Sequence, residues 1–153
     1  MRAGDFESPA SASSATPAIQ KIIILFMDRS IDWYKQAERD LEHAKRSLEM
    51  GDYEWVCFAS HQSAEKAIKA LHYYFKQEAW GHSLSRLLKD LPIEIPEELL
   101  ELARVLDLYY IPTRYPNGFP MGAPYEHFTQ KQAKEAIEYA SKVLEFVRLQ
   151  MGL

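Results

Sequence analysis

Cysteine is almost absent from this chain: one residue, Cys57, in 153. One thiol cannot close an internal disulfide or build a thiolate metal cluster, so a reducing, cytoplasmic setting is the simplest home. A basic excess is missing as well. The formal net charge is -4 and the pI about 5.7, whereas a protein that grips nucleic acid mainly by its phosphates carries a positive surplus. Any nucleic-acid contact must therefore be local, with no extended binding surface. Long apolar runs are lacking too. The longest, "IIILFM" (Ile22 to Met27), falls far short of the roughly 20 residues of a membrane span. The residues before it include Asp5 and Glu7 and are rich in Ser, Ala and Pro. A signal peptide instead has a basic start and a longer apolar core. There is no P-loop and no GxGxxG, the usual phosphate cradles. No Glu-x-x-His occurs, which sets aside a two-metal bundle; no metal and no cofactor are implied. No strand-like alternation appears anywhere.

What remains is helix. At 47% hydrophobic and 26% charged residues, the composition is that of one soluble domain with a substantial core. Residues 1–18 are low-complexity and are expected to be disordered. "MDRSIDWYKQ", from Met27, reads as a self-sufficient start. The expectation is thus an extension over residues 1–26, disordered or an artefact of an upstream start codon, and a helical bundle over 27–153. Tyr34, Ala37, Leu41, Ala44 and Leu48 recur at spacings of three and four, predicting a helix from Ser30 to Met50. Gly51 and Asp52 suit a tight turn of C-cap and N-cap. A long helix follows, from Tyr53 to Gln77, with a spine of Val56, Ser60, Ala64, Ala67, Leu71 and Tyr74. A short helix runs from Leu84 to Asp90, with Ser83 as its cap. Pro96 opens a third main helix, which Pro112 ends. Thr129 and Gln132 form the capping box of the last. The fold predicted is all-α: an antiparallel four-helix up-and-down bundle with a short accessory helix.

One connection does not fit a plain bundle. "YYIPTRYPNGFPMGAPY" (Tyr109 to Tyr125) packs four prolines, two glycines, four tyrosines and the lone Arg114 into one loop. Arg114 between Tyr110 and Tyr115 can stack on a base or fork onto a phosphate. It can equally cap a helix or pair with a carboxylate while the tyrosines seal a dimer seam. Lys66 and Lys69 can join Arg114 around an anion, or pair on the helix surface, as Glu65 to Lys69 at i,i+4 would do for roughly 0.3 kcal/mol. His82 can cap the short helix or approach a ligand. Cys57 and His61 share a face, which suits a thiolate–imidazole pair. With no third group in view, a packed core cysteine and a hydrogen-bonded histidine is the simpler reading. No catalytic residue is assigned.

The stretch Asp32 to Phe75, with "QSAEKAIKAL" inside it, resembles the first two helices of the HEPN domain family (higher eukaryotes and prokaryotes nucleotide-binding). "GHSLSRLL", "YIPTRYP" and "AKEAIEYASKVLEFVR" resemble that family's next helix, its loop and its last helix, so the resemblance covers roughly Ser30 to Gln150. It implies a small helical bundle that usually forms a homodimer. It also implies a frequent partnership with a minimal nucleotidyltransferase, as one half of a toxin–antitoxin pair. Many members are ribonucleases that use an Arg followed, after four to six residues, by a His. Here Arg39 precedes His43 by too little and in the wrong helix, and Arg114 has no His until His127. The expectation is a non-catalytic module binding a nucleotide or such a partner. The alternatives are a ribonuclease toxin with unrecognised catalytic residues, or a purely structural oligomer.

Overall fold

The computed structural model describes residues 15–26 and 28–153. Helix α1 spans Pro17–Phe26, inside the segment expected as an extension; residues 1–14 of that segment, and residue 27 after it, lie outside the described residues. Thr16 Oγ1 accepts from the Ile19 amide at its start, and Pro17 occupies the first turn, where its missing N–H costs nothing.

Helix α2 (Ser30–Met50) buries Tyr34, Ala37, Leu41 and Ala44, as their spacing predicts. Gly51 caps it in the left-handed conformation, with φ of 78°. The amides of Gly51 and Asp52 bond back to the Leu48 and Ser47 carbonyls, reversing the chain into α3 (Tyr53–Tyr74). Ala64, Ala67 and Ala70 of α3 are fully buried, as are Ala133, Ala136 and Ala140 of the last helix. Small side chains let the helices close up. The trapped hydroxyl of Ser63 donates to the Ala37 carbonyl at 2.6 Å.

α3 ends three residues before the expected Gln77, and Tyr74, expected on its spine, is 42% exposed. Phe75 takes the inward place and packs on the core, with Tyr74 edge-on against it at 5.3 Å. Helix α4 (Leu84–Lys89) and helix α5 (Glu97–Asp107) follow. α5 stops before the expected Pro112, because the Leu108 and Tyr109 amides turn tightly back to the Val105 and Leu106 carbonyls. Short 3-10 turns at Pro116–Gly118 and Pro124–Glu126 order the long loop. Helix α6 (Gln130–Met151) opens on the predicted capping box of Thr129 and Gln132.

Helices α2, α3, α5 and α6 form the antiparallel bundle, and α4 is the accessory helix. α3 packs against α2, α4, α5 and α6, which puts its side chains at the junction of everything else. No helix among the described residues is long and apolar enough to cross a membrane.

Candidate functional site

α3 carries a row of buried polar side chains, His61, Glu65, Lys69 and His72. Their spacing of four, four and three places them on one face. The segment from His82 to Leu87 docks on this row through directional bonds. His61 Nε2 lies 3.0 Å from the His82 carbonyl and His72 Nε2 2.8 Å from the Leu87 carbonyl. A carbonyl only accepts, so both rings carry their proton on Nε2. His61 Nδ1 then accepts from the Gln62 amide at 3.3 Å. Burial holds the His61 pKa below its usual value, against the opposing pull of Glu65.

Glu65 is the hub. Its carboxylate takes Lys69 Nζ at 2.8 Å and lies 3.1 Å from His82 Nδ1. The His82 side chain therefore does not cap α4. Asp107 does, accepting from the amides of Leu84 at 2.6 Å and Ser85 at 3.2 Å, a carboxylate at the positive end of a helix. Ser83 adds its expected cap, accepting from the Arg86 amide at 3.4 Å.

The loop rests on this platform. The Tyr110 ring stacks on His82 with centroids 4.5 Å apart and 17° between planes, and lies 5.2 Å from His61. Arg114 folds back over it. Its Nε and Nη2 donate to the Tyr110 carbonyl at 2.9 and 2.7 Å. Its guanidinium carbon sits 4.4 Å from the Phe58 ring centre, 4.7 Å from Tyr110 and 5.2 Å from Tyr115. Thr113 Oγ1 locks the same turn by donating to the Tyr109 carbonyl at 2.6 Å. No carboxylate among the described residues pairs with Arg114. The result is a fixed, partly buried cation on an aromatic ledge, with N–H groups left over.

Of the residues singled out in the sequence, Tyr110, Tyr115, Arg114 and His82 come together here. Lys69 reaches them only through Glu65, and Lys66 turns away to pair with Asp40 of α2. His127 stacks on Phe119 at 3.9 Å and bonds the Met121 carbonyl, inside the loop. Cys57 is fully buried, its thiol pushed up to about 12 by desolvation, which leaves no thiolate for the pair with His61. Glu65, Asp107 and Phe58 belong to the site but were not singled out for it. The His61–Glu65–His72 spacing on one helix face was the available signal for Glu65.

A family model for the HEPN domain matches residues 30–150. The chain belongs to the HEPN domain family. Solved structures share its architecture. A crystal structure from Thermus thermophilus is 52% identical with a TM-score of 0.79, covering 80% of this chain and 98% of that one. An archaeal HEPN homologue is 45% identical with a TM-score of 0.72, over 82% and 99% of the two chains. The "Putative toxin MJ1304" of Methanocaldococcus jannaschii is 30% identical over 125 residues, 74% of this chain and 82% of that protein. Within this HEPN domain Arg114 and His82 each contact the Tyr110 ring, although they lie 32 positions apart in the chain.

Proposed function

We propose that this HEPN protein is a binding module whose Arg114 ledge receives a phosphate-bearing ligand of the nucleotide class. The observation that carries the reading is the state of Arg114. Its guanidinium is immobilised by the Tyr110 carbonyl and three rings, yet no carboxylate among the described residues neutralises it. A pre-ordered cation loses little entropy when it forks onto phosphate, and the exposed Tyr115 offers a face for a base. The exposed Trp55, Leu108, Ile111 and Tyr115 support a protein contact beside the ledge, with a second copy or a nucleotidyltransferase-type partner. A nucleotide thermal-shift panel tests this: stabilisation should appear in the native chain and vanish in Arg114→Ala. No shift with any nucleotide, and no co-purifying partner, removes the reading.

A second reading has its own support. Arg114 and His82 on one tyrosine supply a cation and an acid–base group, and a relative carries the name of a toxin. RNA cleavage lost in both Arg114→Ala and His82→Ala would make this HEPN domain a ribonuclease.

A further inference from the structure

A second cleft, about 630 Å³ in volume, lies away from the Arg114 ledge where the end of α3 meets α4. It falls within the size range of small-molecule sites. Two of its lining side chains hold acceptors with no partner. His72 is 2% exposed and spends its Nε2 proton on the Leu87 carbonyl, so Nδ1 is left with a lone pair and nothing to accept from. Gln77 Oε1 is in the same condition. Buried polar atoms are nearly always satisfied, and two orphans in one cleft call for donors.

The chain is also strained there. Lys76 adopts φ of 59°, the left-handed C′ position that helix ends reserve for glycine. The Gln77 amide bonds the His72 carbonyl across this turn at 2.9 Å. A non-glycine residue held in that conformation beside unsatisfied acceptors is the kind of strain that marks ligand clamps.

The remaining lining sets the ligand's charge. Glu78 and Asp90 are carboxylates, and the single cation, Arg86, lies 3.9 Å from Asp90. Trp80 is 72% exposed, and its indole N–H is committed to Glu78 at 3.1 Å. Its ring already attracts an ammonium, since Lys21 Nζ of α1 sits 5.3 Å from the centroid. With Lys21 and Arg86 set against Glu78 and Asp90 the charges balance, and what the cleft offers a ligand is unpaired acceptors and an indole face, which suit a cation that carries N–H groups.

We propose that this cleft binds a small organic amine, its ammonium resting on Trp80 and its N–H groups turned to Gln77 and His72. The half-buried Gln77 side chain rotates to admit it. None of the residues that touch Arg114 lines this cleft.

The test is calorimetric titration of the full chain at fixed ionic strength with two dications, 1,4-diaminobutane and its hexamethyl quaternary analogue. The second keeps the charge and removes every N–H. Saturable binding of one diamine per chain is expected, at least about tenfold tighter than the quaternary analogue, the factor that one well-made hydrogen bond supplies. Gln77→Leu should erase the preference. Trp80→Ala, a change at an exposed side chain that leaves the fold intact, should weaken both ligands about two- to fivefold. Absence of saturable binding, equal affinity for the two dications, a preference that survives Gln77→Leu, or displacement of the diamine by inorganic phosphate would overturn the proposal. Should Gln77→Leu fail to fold, Trp80→Ala decides: unchanged diamine affinity there overturns it equally.

Discussion

Helix α3 has two buried faces built on different principles. One, through Ser60, Ala64, Ala67 and Leu71, is small and mostly apolar, and is held by close packing. The other, through His61, Glu65, Lys69 and His72, is polar, and is held by bonds to particular atoms of the His82–Leu87 segment. The first face makes a bundle and would do so with many sequences, since packing is non-directional and tolerates volume-conserving exchange. The second face aims Tyr110 and Arg114. It works only if each donor meets its acceptor, because an unpaired polar group in the interior costs far more than a well-made bond gains. The scaffold is thus generic on one side of the helix and specific on the other.

The sharpest way to break the comparison is Glu65→Ala. Lys69 would lose its counter-charge at 8% exposure, which costs about 3–5 kcal/mol for a buried pair broken on one side. Urea denaturation measures it. Replacing Glu65 and Lys69 together by leucine should recover most of the loss; if the single change costs under 1 kcal/mol, the polar face is not the specific one. Next is Asp107→Ala, which strips the cap from α4 and should cost about 1–2 kcal/mol. It should also loosen the stack of Tyr110 on His82, visible as faster hydrogen exchange at the Leu84 and Ser85 amides.

How far the sequence reached follows the same divide. Periodicity and caps made the apolar face legible: α2, its Gly51 turn and the Thr129–Gln132 box all follow from residues within a few positions of one another. The polar face was half legible. Arg114 and the tyrosines stood out because prolines and a lone cation are unusual in a helical chain. Their supports did not, because Glu65 meets His82 across 17 residues and Asp107 meets Leu84 across 23. Which way a lysine turns depends on helix rotation. Lys66 and Lys69 sit three apart, yet one pairs with Asp40 of α2 and the other with Glu65 of its own helix. The missing Arg-to-His spacing is a property of the chain in one dimension, and it says nothing of the Tyr110 ring that Arg114 and His82 each contact.

Trimming the apolar face should matter less than either polar change. Ile68 is fully buried, and Ile68→Val should cost about 1 kcal/mol, with nucleotide response and hydrogen exchange near α4 unaltered. Equal disturbance of α4 by Ile68→Val would mean that the two faces are not separable.

The smallest effect is one of pH, and it reports on the polar face alone. Burial lowers the folded-state pKa of His61 below 6.5. Above pH 6.5 the ring is neutral both folded and unfolded, so it contributes no pH dependence. Below it the unfolded chain takes up a proton that the folded one refuses, and stability falls as pH falls, down to the lowered folded value. The loss should be under about 1 kcal/mol between pH 7.5 and 6, within the ceiling of 1.4 kcal/mol per pH unit for one group. Glu65, Asp107 and His82 also lie around the ring, so the slope belongs to His61 only by difference. His61→Gln keeps a donor for the His82 carbonyl and removes the titration. Denaturation curves of the two proteins should converge toward pH 6 and separate toward pH 7.5. Parallel curves would show that the ring is not held neutral, and that the polar face tolerates a charge where its bonding pattern says it cannot.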